Sequence, residues 1–198
     1  ASHCLSDGYS VYSGRSSSLI AASAIDLASM NSGIYTVAHD ITIQGGANLG
    51  SGKRIVILAR GSVPINGNLT YDNGPYASIS QLPYVLVLSQ GDIAVEEGVD
   101  RLDGYYETRG KFRSCLQAPS IGTGLILLDQ CSQQLTVNGG VTALDVHTPR
   151  TYGASAGPNA GLPAEMFNRR PDIDLSLYDA SLSDLIFTTG ETELPPRY

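Results

Sequence analysis

The segment IVILARGSVPINGN, residues 55–68, contains the unit on which the fold prediction rests. A short apolar run is followed by a polar break, then by the apolar pair Val63 and Ile65, then by the turn-forming dipeptide Asn66-Gly67. Short β-branched and leucine-rich runs bounded by Gly or Asp are typical of buried strands and too short for helices. The segment therefore predicts a strand, a corner, a second strand and a turn.

The same unit occurs four times along the chain. The other copies are IYTVAHDITIQGG (residues 34–46), VLVLSQGDIAVEEG (85–98) and LILLDQCSQQLTVNGG (125–140). The equivalent apolar positions, separated by 22, 30 and 42 residues, are Ile43, Ile65, Val95 and Val137. One turn of a solenoid built from three short strands needs about 20–25 residues. The first separation fits one bare turn, and the later two fit a turn with loop insertions.

The Asn-Gly and Gly-Gly dipeptides that end these units supply the positive φ that a tight corner requires. The pattern predicts an all-β protein with the fold of a right-handed parallel β-helix, or β-solenoid. A β-sandwich is the alternative, because Asn-Gly also forms antiparallel hairpin turns. A hairpin needs matched strands on both sides of Asn66-Gly67, however, and the apolar run that follows is brief.

We predict one short helix, over residues 19–30, that caps the N-terminal end of the solenoid. Serines at 16–18 offer N-caps, and Asn31-Ser32-Gly33 provides a stop. Ile20, Ala24 and Leu27 would share one helical face. Such a helix would cover strand edges that otherwise invite aggregation.

The length of 198 residues suits a single domain, residues 1–198. We divide it into an N-terminal segment with the capping helix (1–33), solenoid turns with loop insertions (34–146) and an extended C-terminal segment with a tail (147–198). Within the last part, PAEMFN (163–168) predicts one helical turn, residues 173–177 predict an edge strand, and the final residues predict a mobile tail.

Composition and charge exclude several classes of function. The net charge of −7 and the 16% of charged residues argue against a nucleic-acid partner, which needs clustered Lys and Arg. No run approaches the ~18 apolar residues of a membrane-spanning segment. The opening ASHCLSDGYS lacks a signal-peptide pattern, so we expect a mature or excised part of a longer precursor.

The cysteines predict one disulfide. Cys115 and Cys131 enclose 15 residues, a loop that a disulfide would stabilise by about 3 kcal/mol. The alternative is two buried free thiols. A disulfide would imply an oxidising compartment, extracellular or at the cell surface. Cys4 is then left over, either unpaired or bridged to another chain.

A candidate ligand or calcium surface comprises four acids and two tyrosines: Asp92, Glu96, Asp100, Asp103, Tyr105 and Tyr106. Clustered carboxylates bind Ca²⁺ or act as acid and base on polysaccharides, and tyrosine rings stack on sugars. The alternative is a set of solvated turn acids and ordinary strand tyrosines. We predict no catalytic, cofactor-binding or metal-ligating residues beyond this surface. Asn68-Leu69-Thr70 matches the N-glycosylation sequon.

Three segments carry a resemblance to a known group: RLDGYYETRGKFRSC (residues 101–115), QLTVNGGVTA (134–143) and RTYGASAGPNAGLPAEMFN (150–168). Together they resemble uncharacterised secreted β-helical proteins of candidate-phylum bacteria that are surface-exposed or pilus-associated. The resemblance covers about half of the chain. It implies a surface-exposed β-helical module of a larger envelope or pilus-associated protein, and it transfers no catalytic residues.

These observations predict a non-enzymatic, extracytoplasmic structural or adhesive protein. Its expected partners are other subunits of a homo-oligomer or surface filament, or surface carbohydrate. The alternative is a carbohydrate-active enzyme, a polysaccharide lyase or hydrolase, that uses the acids between Asp92 and Asp103. No cofactor is expected apart from the candidate calcium ion.

Overall fold

The computed structural model describes residues 7–15, 17–116, 131–153 and 159–171. Within these ranges the chain forms thirteen strands, one α-helix and a 3-10 turn (Ile79–Gln81). The elements are α1 (Asp7–Ser13), β1 (Ser18–Ile20), β2 (Ala24–Asp26), β3 (Gly33–Val37), β4 (Thr42–Gln44), β5 (Ala47–Leu49), β6 (Arg54–Ala59), β7 (Val63–Ile65), β8 (Leu69–Tyr71), β9 (Tyr84–Ser89), β10 (Ile93–Val95), β11 (Arg101–Arg113), β12 (Leu135–His147) and β13 (Glu165–Asn168).

Every pair of strands in the described ranges is parallel, and the pairs form three stacks. The first stack contains β1, β3, β6, β9, residues 105–108 of β11 and residues 140–143 of β12. The second contains β2, β4, β7, β10 and the ends of β11 and β12. The third contains β5, β8, the beginnings of β11 and β12, and β13. The prediction of a parallel, all-β architecture is confirmed, and the antiparallel sandwich is wrong.

β11 and β12 hold the three stacks together. Each is thirteen residues long and contributes to all three stacks, with one register shift between Thr108 and Lys111. The thirteen strands are therefore linked into one curled sheet. Its interior holds one large core of aliphatic and aromatic side chains, in which Ile43, Ile65 and Leu69 are completely buried.

The central strands of the first stack are buried on both faces. Every residue from Ile55 to Ala59 is at most 5% exposed, although successive side chains of a strand point to opposite faces. One face points into the core, and α1 lies against β6 and β9. Tyr12 of α1 is buried in the same cluster. The unbroken apolar runs IVIL and VLVL are the consequence of this two-sided burial.

The predicted capping helix over residues 19–30 was wrong in position and in role. That segment forms β1 and β2, which pair with β3 and β4. Ile25 and Leu27 are buried on either side of Asp26, a period of two that outweighed the weak helical face. The helix lies earlier, at Asp7–Ser13, and covers the side of the first stack.

The C-terminal predictions had a mixed outcome. PAEMFN was predicted to form a helical turn, which was wrong: Glu165–Asn168 is β13, in register with residues 135–138 of β12. A strand partner supplies the backbone hydrogen bonds that an isolated helical turn lacks. The edge strand predicted at 173–177, the tail and Cys4 lie outside the described residues.

Three of the four aligned positions are confirmed. Ile43 pairs with Ile65, and Ile65 with Val95. The fourth was wrong, because Val137 pairs with Leu102, and Leu102 in turn pairs with Leu69. LTVNGG therefore begins in the third stack, whereas VPINGN begins in the second.

Candidate functional site

A polar cleft of about 820 Å³ opens on the third stack, where β11, β12 and β13 lie side by side. Arg101 comes from β11, Thr136 and Asn138 come from β12, and Arg170 follows β13. Its volume falls in the range of about 300–1,000 Å³ that is usual for ligand pockets. It is the candidate functional site.

Asp103 lies beneath the cleft and is fully buried. Its carboxylate accepts hydrogen bonds from Arg101 Nε at 3.0 Å and Nη2 at 2.9 Å, from Asn138 Nδ2 at 2.7 Å and from the Tyr71 backbone N–H at 2.8 Å. Arg170 Nη1 lies 3.8 Å from the same carboxylate. The hydrogen bond to Asp103 raises the pKa of Arg101. One buried carboxylate therefore orients two side chains of the cleft.

A ladder of polar side chains crosses the three strands under the cleft. Asp103, Asn138 and Asn168 occupy paired positions of β11, β12 and β13. Asn168 Nδ2 donates to Asn138 Oδ1 at 3.0 Å, and Asn138 donates onward to Asp103. Gly104 and Gly139 follow in register, both with positive φ. The phrases Asp-Gly and Asn-Gly are thus structurally equivalent.

One wall of the cleft is tied down by a disulfide and by a buried arginine. Cys115 and Cys131 are bonded, with Cα atoms 6.0 Å apart, so the predicted pairing is confirmed. Arg150 is 6% exposed and donates to the carbonyls of Ser114 at 2.8 Å, Glu96 at 3.0 Å and Gln133 at 3.1 Å. Burial lowers the pKa of Arg150 to about 10, so the guanidinium stays charged at neutral pH.

Replacing Arg150 with methionine is expected to lower the free energy of unfolding by about 3–5 kcal/mol, because several buried carbonyls lose a charged donor together. Urea unfolding measures the change. The matched control is Arg60→Met at an exposed arginine, which should stay within about 0.5 kcal/mol of the parent. Equal effects of the two substitutions would contradict this role for Arg150.

The acids of the predicted ligand surface are distributed over different parts of the fold. Asp92 precedes β10 of the second stack and pairs with Arg113 Nη2 at 3.2 Å. Glu96 is half-buried, and its backbone carbonyl accepts a hydrogen bond from Arg150. Asp100 is the only one of the four that lines the cleft. Across the described ranges, no group of three or more His, Cys, Asp or Glu side chains is arranged to hold a metal ion.

Asp103 and Tyr106 were predicted to lie on a surface, and this was wrong, because both are at most 1% exposed. Tyr106 donates to the carbonyl of Asp103 at 3.1 Å, and its phenol is buried in the core. Tyr105 is half-buried, with its ring centroid 6.5 Å from that of Tyr84. Alternate residues of β11 point into the core. The many charged residues of this segment made that burial hard to predict from the sequence.

Asn68 of the glycosylation sequon is bonded through both ends of its amide. Its Nδ2 donates to Asp100 Oδ1 at 2.6 Å, and its Oδ1 accepts from the backbone N–H of Asp100 at 3.0 Å and of Arg101 at 3.3 Å. The side chain holds the start of β11 in place, next to the cleft.

Sequence reasoning missed most of the cleft. It assigned Arg101 to no candidate site, and treated Asn138 as a corner residue. Arg150 and Tyr152 entered only within the segment 150–168, to which no site was assigned, and Arg170 was not singled out. The usable signal was the match of Leu102-Asp103-Gly104 with Val137-Asn138-Gly139, which places Asp103 and Asn138 at equivalent positions.

No helix within the described ranges is long and apolar enough to cross a membrane. Comparison of the chain with protein-family models, with curated proteins and with solved structures gives no match. The resemblance to secreted β-helical surface proteins therefore stays a prediction, and the cleft and the stacks that carry it are the features from which a function is inferred.

Proposed function

We propose that the chain is a right-handed parallel β-solenoid in which each pass of the chain adds one strand to each stack. The parallel pairs support this, as do the 22-residue step from Ile43 to Ile65 and the 30-residue step from Ile65 to Val95. Crossovers between parallel strands of one sheet are right-handed in about 98% of proteins. An experimental structure with left-handed connections would overturn the proposed handedness.

Within this proposal the protein is a non-enzymatic structural and adhesive module. The observation that carries it is the polar cleft, whose floor and wall are fixed by Asp103, by Arg150 and by the disulfide. A site on rigid strands with pre-oriented side chains suits binding, because little conformational freedom is lost when a ligand is held.

The acids of the region favour adhesion over catalysis. Asp103 is buried and bonded to several donors, and Asp92 is paired with Arg113 at another corner. An acid–base pair on a polysaccharide needs two carboxyl groups flanking one bond, about 5–10 Å apart. Of the predicted acids, Asp100 alone lines the cleft.

The same proposal includes a location of the protein outside the cytoplasm. The support is the disulfide between Cys115 and Cys131, which is characteristic of oxidising compartments. The low content of charged residues, 16%, agrees with a weakly charged surface. Such a surface suits contact with neighbouring subunits or with a neutral glycan matrix.

The test is a retention and turnover assay with the purified chain. We expect at least one insoluble polysaccharide to retain the chain. We also expect that the polysaccharide yields no new reducing ends or unsaturated products, with or without Ca²⁺. Release of such products would overturn the non-enzymatic assignment, and retention by none of the polysaccharides would overturn adhesion to carbohydrate. Surface labelling of native cells, with thiol alkylation before lysis, tests the location: an unlabelled chain with reduced Cys115 and Cys131 would contradict it.

A further inference from the structure

We propose that the third-stack cleft binds an uncharged oligosaccharide. Arg101 and Asn138 contact the oligosaccharide directly, and Asp103 is a positioning residue that holds those two side chains in place. This inference rests on the proposed adhesive function and adds the class of ligand and the residues that recognise it.

The chemistry of the cleft selects a ligand rich in hydroxyl groups. The nine lining residues that belong to the described ranges all carry hydrogen-bonding side chains: besides the two arginines they include three amides, Gln133, Gln134 and Asn138. Amides and hydroxyls both donate and accept, as sugar hydroxyls do. A pocket for an apolar ligand would be lined mainly by aliphatic and aromatic side chains.

The charges of the cleft favour an uncharged ligand. Arg101 and Arg170 supply two positive charges, and Asp103 lies against both, at 2.9 Å and 3.8 Å. Asp100 at the rim supplies a second negative charge. Among the described residues of the cleft the two signs balance, and the whole chain carries −7, which disfavours a polyanion.

The geometry fixes donors before a ligand arrives. Arg101 bonds Asp103 through Nε and Nη2, so Nη1 points away from that carboxylate, and the Arg101 side chain is 41% exposed. Asn138 is held at both ends of its amide, by Asp103 and by Asn168. A planar guanidinium and a fixed amide offer the paired donors and acceptors that match neighbouring hydroxyls on a sugar ring.

The walls of the cleft complete this arrangement. Tyr152 also lines the cleft, and the flat ring of a tyrosine is suited to stacking on the C–H face of a sugar. Gln134 Nε2 donates to the carbonyl of Pro163 at 2.7 Å, which orients the amide of Gln134. The volume of about 820 Å³ has room for more than one sugar ring.

The test is isothermal titration calorimetry of the full chain with uncharged hexasaccharides of glucose, xylose, mannose and N-acetylglucosamine, and with hexagalacturonate as the anionic comparison. We expect at least one uncharged hexasaccharide to bind more tightly than hexagalacturonate. Arg101→Ala is expected to weaken that binding about tenfold or more. Arg101→Lys, which keeps the charge and loses the planar fork, should weaken it nearly as much.

The matched control is Arg113→Ala, because Arg113 also pairs with an aspartate but lies at another corner of the fold. Binding should be unchanged in it. Asp103→Asn should weaken binding, and Asn138→Ala should cost less in that background than in the parent, since the first change already releases the hydrogen bond that orients the Asn138 amide. Equal losses in the Arg101 and Arg113 variants, a preference for hexagalacturonate, or no binding of any uncharged hexasaccharide would overturn the inference.

The outcomes separate this inference from the proposed function. If polysaccharide retains the chain and the Arg101 variants adhere as well as the parent, adhesion stands and the cleft assignment fails. If the hexasaccharide binds in the cleft and is cleaved, the ligand class stands and the non-enzymatic assignment fails.

Discussion

Replacing Gly139 with alanine is expected to destabilise the fold by about 4 kcal/mol or more, enough to leave many single domains unfolded. Gly139 has φ +141°, a region that costs a residue with a side chain about 1–3 kcal/mol. A Cβ atom there would also lie closer than 3.0 Å to the backbone carbonyl of Gly104. Because Gly104 is itself fixed in β11, the clash cannot be relieved by a side-chain rotation.

The measurement is urea unfolding of Gly139→Ala beside Gly98→Ala. Gly98 is an exposed turn residue at which a Cβ would meet no atom within 4 Å, so its substitution should change stability by no more than about 0.5 kcal/mol. A loss below about 1 kcal/mol in Gly139→Ala would show that β11 and β12 approach each other less closely than described.

The stacking of the early strands could be predicted from sequence because it follows from local chemistry. Residues at equivalent positions touch one another, so Ile43, Ile65 and Val95 share a character that a search for repeats detects. The corners between them carry polar breaks and turn residues, which mark where each unit ends. For these strands, the sequence separation of the units and the character of their residues predicted the same pairing, and the structure confirms it.

The alignment failed at Val137 because the later strands run through their corners. β11 and β12 continue for thirteen residues across all three stacks, without the breaks that delimit the earlier units. The similarity of LTVNGG to VPINGN was then the stronger local signal, although the partner of Val137 is Leu102. The helix error at residues 19–30 has a different origin: pairing of β1 and β2 with β3 and β4 outweighed a modest helical propensity.

The cleft could not be predicted because its residues meet only after folding. Arg101, Gln133, Tyr152 and Arg170 are far apart in the chain, and the strand stacking brings them together. Asp103 looked like a solvated turn acid, since charged residues are seldom buried without partners. Its partners come from β8, β11 and β12, and no single stretch of sequence reveals them.

Stability is expected to fall steeply above about pH 10, because buried tyrosines must keep their protons in the folded state. Tyr71, Tyr84 and Tyr106 are each at most 3% exposed. Burial is the main cause that raises the pKa of all three phenols. A neighbouring group raises each pKa further: Tyr106 beside Tyr71, Tyr12 beside Tyr84, and Asp103 beside Tyr106. In the unfolded chain these phenols lose their protons near pH 10.

The sign of the effect follows from proton binding. Above about pH 10 the unfolded chain holds fewer protons on these phenols than the folded one, so raising the pH favours unfolding. Each phenol contributes about 1.4 kcal/mol per pH unit, and the three together about 4 kcal/mol. Arg150 acts in the opposite direction, since its folded pKa of about 10 is below its unfolded value, and it offsets one of the three. The net slope is about 3 kcal/mol per pH unit, large beside a typical stability of about 5–15 kcal/mol.

Urea midpoints between neutral pH and about pH 11.5, followed together with phenolate absorbance, test this expectation. The buried phenols should ionise in one step that coincides with unfolding, separate from the gradual ionisation of exposed tyrosines among the eleven in the chain. Tyr106→Phe removes one linked proton and should make the slope shallower by about 1.4 kcal/mol per pH unit. A free energy of unfolding that does not change across this pH range would contradict the prediction. It would mean that water reaches these phenols in the folded protein and that the core between the stacks is less tightly packed than described.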